Sequence, residues 1–221
     1  MLNDRTEAGE RLASRLEKYR DERPIVFALP RGGVPVAAPI ARRLACPLDV
    51  IVARKVGAPR NPEYGLGAVV EDGTVLLDAA RVRAAGYRTE DLATTIAREL
   101  EEAVERAQRY RAGRPLPEVS GRTVVLVDDG IATGVTVRAA LKALRPRGPL
   151  RILVAAGVAP LDTVRELERE ADGVVVLESP TEFFAVGEFY RRFEPVSEDA
   201  VNRLLARGTV SSGRQSDPRS G

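Results

Sequence analysis

Residues 123–136 constrain the fold of this chain more than any other stretch. Five β-prone residues, 123–127, run into Asp128 and Asp129, and a turn with two glycines and two threonines then leads into a helix-forming run at 137–144. This order predicts a strand, a tight loop and the start of a helix. In an open α/β sheet, ligands bind beyond the carboxyl ends of the strands, so the two acids are expected to face a binding site.

The loop after these acids has the chemistry of an anion-binding cradle. Gly130 and Gly134 permit close approach of the backbone, so the successive amides of residues 130–136 can point into one concavity. Thr133 and Thr136 add hydroxyl donors, and the positive end of the following helix favours a negative charge. The paired carboxylates suit sugar hydroxyls or a divalent cation. The stretch therefore predicts a site for a ribose 5-phosphate.

The succession of strand, glycine turn and helix occurs along most of the chain. It appears first at 25–44, and strands at 150–158 and 173–178 flank a helix at 160–171. This alternation predicts an α/β fold with a doubly wound, mostly parallel sheet.

Composition bounds the domain organisation and excludes several classes of protein. The chain has 221 residues, a net charge of +2 and no histidine. A Ser-His-Asp hydrolase, a Cys-His nucleophile and a histidine-ligated zinc site are therefore excluded. The charge balance predicts no nucleic-acid surface, and no apolar run suits a membrane span, so the cytoplasm is the expected location. We expect one domain, 1–207, followed by a disordered tail, 208–221, rich in Ser, Gly and Arg.

One predicted helix, 89–111, is longer than the alternating pattern requires. It would be about 33 Å long if it were continuous. Its apolar face serves either packing on its own domain or a subunit interface, and a homodimer is expected.

Two motifs resemble the type I phosphoribosyltransferase family. The string VVLVDDGIATGVT, at 124–136, closely resembles its signature for phosphoribosyl pyrophosphate (PRPP), and it lacks the Gly-Lys-Ser/Thr ending of a P-loop. The acids alone would also suit a receiver-like domain. LPRGGVPVAAPIARRL, at 29–44, resembles the family's pyrophosphate loop, most closely that of bacterial xanthine and hypoxanthine-guanine members. The resemblance implies the type I phosphoribosyltransferase fold, Mg²⁺ as cofactor, and PRPP and a nucleobase-like molecule as partners.

The resemblance also assigns roles to individual residues. Asp128 and Asp129 would hold the ribose hydroxyls, and would hold Mg²⁺ directly or through PRPP. The 5-phosphate would be bound by Gly130, Ile131, Ala132, Thr133, Gly134, Val135 and Thr136. The pyrophosphate would be bound by Arg31, Gly32, Gly33, Arg54 and Lys55, of which Arg31 and Lys55 join the two aspartates as catalytic candidates. The family also implies a cis peptide bond in the pyrophosphate loop.

Two further segments correspond to mobile parts of the family. Residues 54–62 contain Pro and Gly, which predicts an irregular mobile loop. The resemblance implies that this loop closes over the active site. Residues 178–195 resemble, in a shorter form, the hood of purine phosphoribosyltransferases. Phe183, Phe184 and Tyr190 are its candidates for stacking on a base, and aromatics that hold a flap onto the core are an equal alternative.

One position departs from the purine pattern. Hypoxanthine-guanine members carry an aspartate two residues before the second glycine of the phosphate loop, where this chain has Ala132. A methyl group cannot interact with a ring nitrogen, so the acceptor of the expected Mg²⁺-dependent transfer stays unassigned. A non-catalytic sensor of PRPP or nucleotide on the same fold is the alternative, and a phosphate-ester hydrolase is a third hypothesis.

Overall fold

Eight strands form two sheets in the computed structural model, which describes residues 1–209. The strands are β1 (Ile25–Ala28), β2 (Leu48–Val50), β3 (Ala53–Ala58), β4 (Asn61–Val70), β5 (Val75–Leu77), β6 (Thr123–Gly130), β7 (Arg151–Val158) and β8 (Gly173–Glu178). The helices are α1 (Arg5–Leu16), α2 (Gly33–Leu44), α3 (Ala79–Ala84), α4 (Ala93–Arg111), α5 (Val135–Leu144), α6 (Leu161–Leu167) and α7 (Glu198–Thr209).

The larger sheet is parallel throughout and has the order β2-β1-β6-β7-β8. Because side chains alternate along a strand, Val26 and Ala28 of β1 face a core formed with α1, α2 and α7, whereas Ile25 and Phe27 face a second core formed with α5 and α6. The predicted α/β fold with a doubly wound parallel sheet is confirmed. This arrangement brings the ends of β1 and β6, which carry the two motifs, to the same edge of the sheet.

The smaller sheet is antiparallel, with the order β3-β4-β5. The prediction that residues 54–62 are too irregular for a regular element was wrong, because Arg54 and Lys55 pair with Val69 and Ala68 in a ladder. That this segment moves and closes over the site stays a prediction. The ladder shifts register at Gly57, where the strand forms a bulge, and Pro59 and Pro62 lie at and beside the tip of the hairpin, where an irregular backbone is tolerated.

Helix α4 packs on its own domain, against β2, β3, β4 and α7. The first turn of the predicted long helix is a 3-10 turn, Thr89–Leu92, and the α-helix proper begins at Ala93. The homodimer stays a prediction.

The last helix, α7, extends to Thr209, so residues 208 and 209, which were predicted to begin the disordered tail, are helical. The rest of the segment predicted to be a disordered tail lies outside the described residues. Within residues 1–209, no helix has the length and apolar character needed to cross a bilayer.

Candidate functional site

The loop between β6 and α5 presents a row of unused backbone donors. Gly134, with φ +70°, forms the N-terminal cap of α5. In the described part of the chain, the amides of residues 132–136 donate no hydrogen bond, and neither do the two threonine hydroxyls of the loop. The amide of Ile131 differs, since it donates to the Val158 carbonyl at 2.8 Å and so belongs to the sheet. Five amides at a helix N-terminus are thus available to an anion.

The two acids at the end of β6 have different environments. Burial, and then the charge of Asp129, raise the pKa of Asp128 well above its ordinary value. The Asp129 carboxylate instead accepts a hydrogen bond from the Arg5 Nε at 2.7 Å, and both side chains are largely buried. Asp129 is therefore a carboxylate with a cationic partner, whereas Asp128 favours its neutral form.

Arg5 is a site residue that the sequence did not single out. Its guanidinium also donates to the Glu194 carbonyl at 2.9 Å and lies 3.8 Å from the centre of the Phe193 ring. Nothing in the sequence distinguishes it from the other arginines of an arginine-rich chain. Through these contacts, α1 fixes the position of the Asp129 carboxylate and connects it to the last residues of the hood segment.

The predicted pyrophosphate loop lies directly against these acids. A Cβ on Gly32 would lie 2.0 Å from the Asp129 Oδ2, and a Cβ on Gly33 would lie 2.5 Å from the Val127 carbonyl oxygen. Only glycine allows the two loops to approach so closely. The expected cis peptide is present, between Pro30 and Arg31.

Some residues of the predicted pyrophosphate loop form hydrogen bonds within the protein, and others do not. The Gly33 amide donates to the Leu29 carbonyl at 3.0 Å. Among residues 1–209, the exposed Arg31 side chain has no hydrogen-bond or ion-pair partner, and the Gly32 amide donates to no protein group. Arg31 and Gly32 are therefore the members of this loop that are free to contact a ligand.

A cavity of about 590 Å³ lies beside this loop, between the β3–β4 hairpin and α4. Pro30, Lys55 and Thr136 line it, so it joins the predicted pyrophosphate loop to the phosphate loop. Lys55 is exposed and has no ion pair within the described residues, whereas Arg54 pairs with Glu99 and Glu102 of α4 at 2.8 and 2.9 Å. Of the two cations predicted to reach a pyrophosphate, Lys55 is the free one.

The three hood aromatics have separate environments. Phe183 stacks on Phe189 with ring centres 5.6 Å apart, and Phe184 is 83% exposed. Tyr190 is buried in the core, and its hydroxyl donates to the Asp129 carbonyl at 2.6 Å. Tyr190 thus supports the acidic end of β6 from within the core. This contact agrees with the alternative stated above, in which the aromatic residues hold the hood segment onto the core.

Comparison with known proteins places these features in context. The family profile of the phosphoribosyl transferase domain matches residues 2–190. Two curated relatives from Mycobacterium tuberculosis strains, MT0597 and Rv0571c, are provisionally named phosphoribosyl transferases, and each is 42% identical over 207 residues. The match covers 94% of this chain but 47% of either relative, so the chain spans about half the length of the curated relatives it matches.

A solved structure shares both the fold and a substantial part of the sequence. The crystal structure of TT1426 from Thermus thermophilus is 44% identical and superposes with a TM-score of 0.78, over 93% of this chain and 98% of that one.

Proposed function

Because the chain belongs to the phosphoribosyl transferase family, whose profile matches residues 2–190, we propose that it transfers ribose 5-phosphate from PRPP to a nucleobase or another amine, with release of pyrophosphate. The observation that carries this proposal is the row of five unused amides at the start of α5, beside the acids that end β6. Such a row suits a phosphate monoester, and the neighbouring acids suit the hydroxyls of the attached sugar.

The two ends of PRPP are assigned to the two loops. The amides of residues 132–136 bind the 5-phosphate, and the hydroxyls of Thr133 and Thr136 add donors. Arg31, the Gly32 amide and Lys55 bind the pyrophosphate. Gly32 lies against Asp129, so the two loops are adjacent. With the 5-phosphate in one loop and the pyrophosphate in the other, the ribose lies between them and its anomeric carbon is held in a fixed position.

The donor set suits Mg²⁺ that arrives with the substrate. Within residues 1–209, no cluster of three or more acids, cysteines or histidines forms a site that could hold a metal. Mg²⁺ keeps several waters and is commonly held by one or two carboxylates together with substrate phosphates, which fits Asp128 and Asp129 beside PRPP. When bound, the ion neutralises the pyrophosphate and makes it a better leaving group.

The chemistry requires orientation and electrostatic stabilisation rather than a protein nucleophile. The bond between the anomeric carbon and the pyrophosphate oxygen breaks with an oxocarbenium-like charge on the ribose, and a nitrogen of the acceptor forms the new bond. The acids at the end of β6 hold the ribose hydroxyls and stabilise the developing positive charge. The absence of histidine from the sequence is compatible with this mechanism.

Ala132 supports a second candidate, a non-catalytic sensor of PRPP or nucleotide. Its side chain is exposed in the phosphate loop and can neither donate nor accept a proton. An enzyme that reads a purine ring nitrogen from this position needs a polar group there, whereas a sensor of PRPP does not.

A screen of acceptors separates these candidates. The protein is incubated with PRPP and Mg²⁺ and with purines, pyrimidines and small amines in turn, and pyrophosphate release is measured. We expect release that depends on at least one acceptor and that is lost in Asp128→Asn. Tight binding of PRPP without release under any condition would favour the sensor, and release without an acceptor would favour a hydrolase. A protein that does not bind PRPP would contradict all three.

A further inference from the structure

Tyr110, near the end of α4, has a buried hydroxyl without a partner. Among the side-chain nitrogen and oxygen atoms that are buried in the described residues, the Tyr110 hydroxyl is the one that makes no hydrogen bond. The residue as a whole is 6% exposed. Almost all buried polar groups in native proteins are hydrogen-bonded, so an exception indicates a function or an absent partner. Tyr110 has no part in the contacts described for the two motifs.

The surroundings of Tyr110 connect it with the candidate site. It lines the cavity of about 590 Å³, which is also lined by Pro30 of the pyrophosphate loop, Lys55 of β3 and Thr136 of the phosphate loop. Burial raises the pKa of Tyr110, so its hydroxyl carries a proton at neutral pH and can act as a donor. The unpartnered hydroxyl therefore belongs to a residue of the cavity wall, and each of the two motifs contributes one residue to the same wall.

The charges around the cavity favour an anionic ligand. The cavity wall contains four basic residues, Arg54, Lys55, Arg98 and Arg106, and two acidic residues, Asp91 and Glu99. Both oxygens of Glu99 are engaged by arginines, one by Arg98 and the other by Arg54. Of these four cations, Lys55 is the one without an ion pair among the described residues, so it supplies a charge that a ligand can neutralise.

We propose that Tyr110 is a ligand-binding residue whose hydroxyl donates a hydrogen bond to a pyrophosphate oxygen of PRPP, in a cavity to which Lys55 supplies an unpaired cation. Helix α4 then forms one wall of the leaving-group subsite, a role that its length alone did not indicate. This inference rests on the proposed use of PRPP.

The variant Tyr110→Phe tests the proposal because it removes the hydroxyl and keeps the ring. In the free protein the hydroxyl has no partner, so the melting temperature is expected to stay the same or rise. Calorimetry with magnesium pyrophosphate is expected to show affinity about tenfold weaker than wild type, the usual effect of a hydrogen bond to a charged group. Affinity for ribose 5-phosphate should not change, because that ligand lacks the pyrophosphate.

Tyr19→Phe is the matched control, since Tyr19 is half-buried in the 3-10 turn that follows α1 and lines no part of this cavity. It should leave both affinities unchanged. Equal pyrophosphate affinity for wild type and Tyr110→Phe would overturn this inference and leave the transferase proposal standing. Failure of the wild type to bind either pyrophosphate or ribose 5-phosphate would overturn both. A lower melting temperature for Tyr110→Phe would show that the hydroxyl has a partner in the free protein, and it would also count against the inference.

Discussion

Asp128→Asn is expected to raise the free energy of unfolding and, at the same time, to weaken PRPP binding at least a hundredfold. Burial and the neighbouring Asp129 charge raise the pKa of Asp128, so the ionised carboxylate is disfavoured in the folded state. A neutral amide of the same shape removes this cost, which is on the order of 1 kcal/mol for each unit by which the pKa rises. Binding is weakened because the amide has one acceptor oxygen where the carboxyl group has two, and because it cannot ionise to hold the Mg²⁺ that binds with PRPP.

The increase in the free energy of unfolding that we expect for Asp128→Asn depends on pH. A carboxyl group whose folded-state pKa lies above its unfolded value binds its proton more tightly when folded. Its contribution to stability is therefore complete below the unfolded value, near 3.8, and is lost as the pH rises through the raised value. The advantage of Asp128→Asn over wild type should be largest at neutral pH and absent below about 3.8. Urea unfolding at a series of pH values measures it.

Asp129→Asn is expected to change stability in the opposite direction. It leaves the buried Arg5 guanidinium without its anionic partner, a loss that costs about 3 kcal/mol in buried pairs. PRPP binding should be lost in this variant too. Asp162→Asn is the control, because the Asp162 side chain is 92% exposed and should affect neither quantity. Changes of the same sign in the two site variants would contradict the assignment of different environments to the two acids.

Glu71→Ala is expected to lower the free energy of unfolding by about 3 to 5 kcal/mol, the largest effect on stability that we predict. Both Glu71 oxygens accept hydrogen bonds from Arg111, and one also accepts from the Val52 amide at 2.9 Å. The side chains of Glu71 and Arg111 are each 7% exposed, so the variant leaves a guanidinium buried without its main partner. Asp49, whose pKa is raised by burial, lies 4.0 Å from Arg111 and compensates only in part.

Double variants distinguish a true pair from a general loss of packing. Because the double variant leaves neither member of this pair buried without the other, Glu71→Ala combined with Arg111→Met should be less destabilised than the sum of the single variants. Glu90→Ala is the control, since Glu90 pairs with Arg88 at the surface and both side chains are exposed. Additive effects in the cycle, or a loss below about 1 kcal/mol for Glu71→Ala, would contradict a structural role for this pair.

The parts of the fold that follow from local sequence were predictable. The strand, the glycine loop and the helix around Asp128 are contiguous, so periodicity and turn chemistry define them without tertiary information.

The parts that depend on long-range pairing were not predictable in this way. Arg5 meets Asp129 from 124 positions away, and no periodicity marks that contact. The β3–β4 hairpin was missed because its glycine and prolines lie where a bulge and a turn accept them, which composition alone cannot show. The unpartnered hydroxyl of Tyr110 could not be found from the sequence, since only the packing of α4 against the hairpin reveals that nothing bonds it.

The most direct test of the whole account is an NMR titration of ¹⁵N-labelled protein with ribose 5-phosphate, observed at the backbone amides. Amide protons that donate to a phosphate oxygen shift downfield as the hydrogen bond forms. We predict that the amides of residues 132–136 shift together and saturate at one ligand per chain, while the Ile131 amide, which is bonded to Val158, shifts little. Saturable binding that leaves the amides of residues 132–136 unmoved would contradict the claim that this loop holds a phosphorylated pentose.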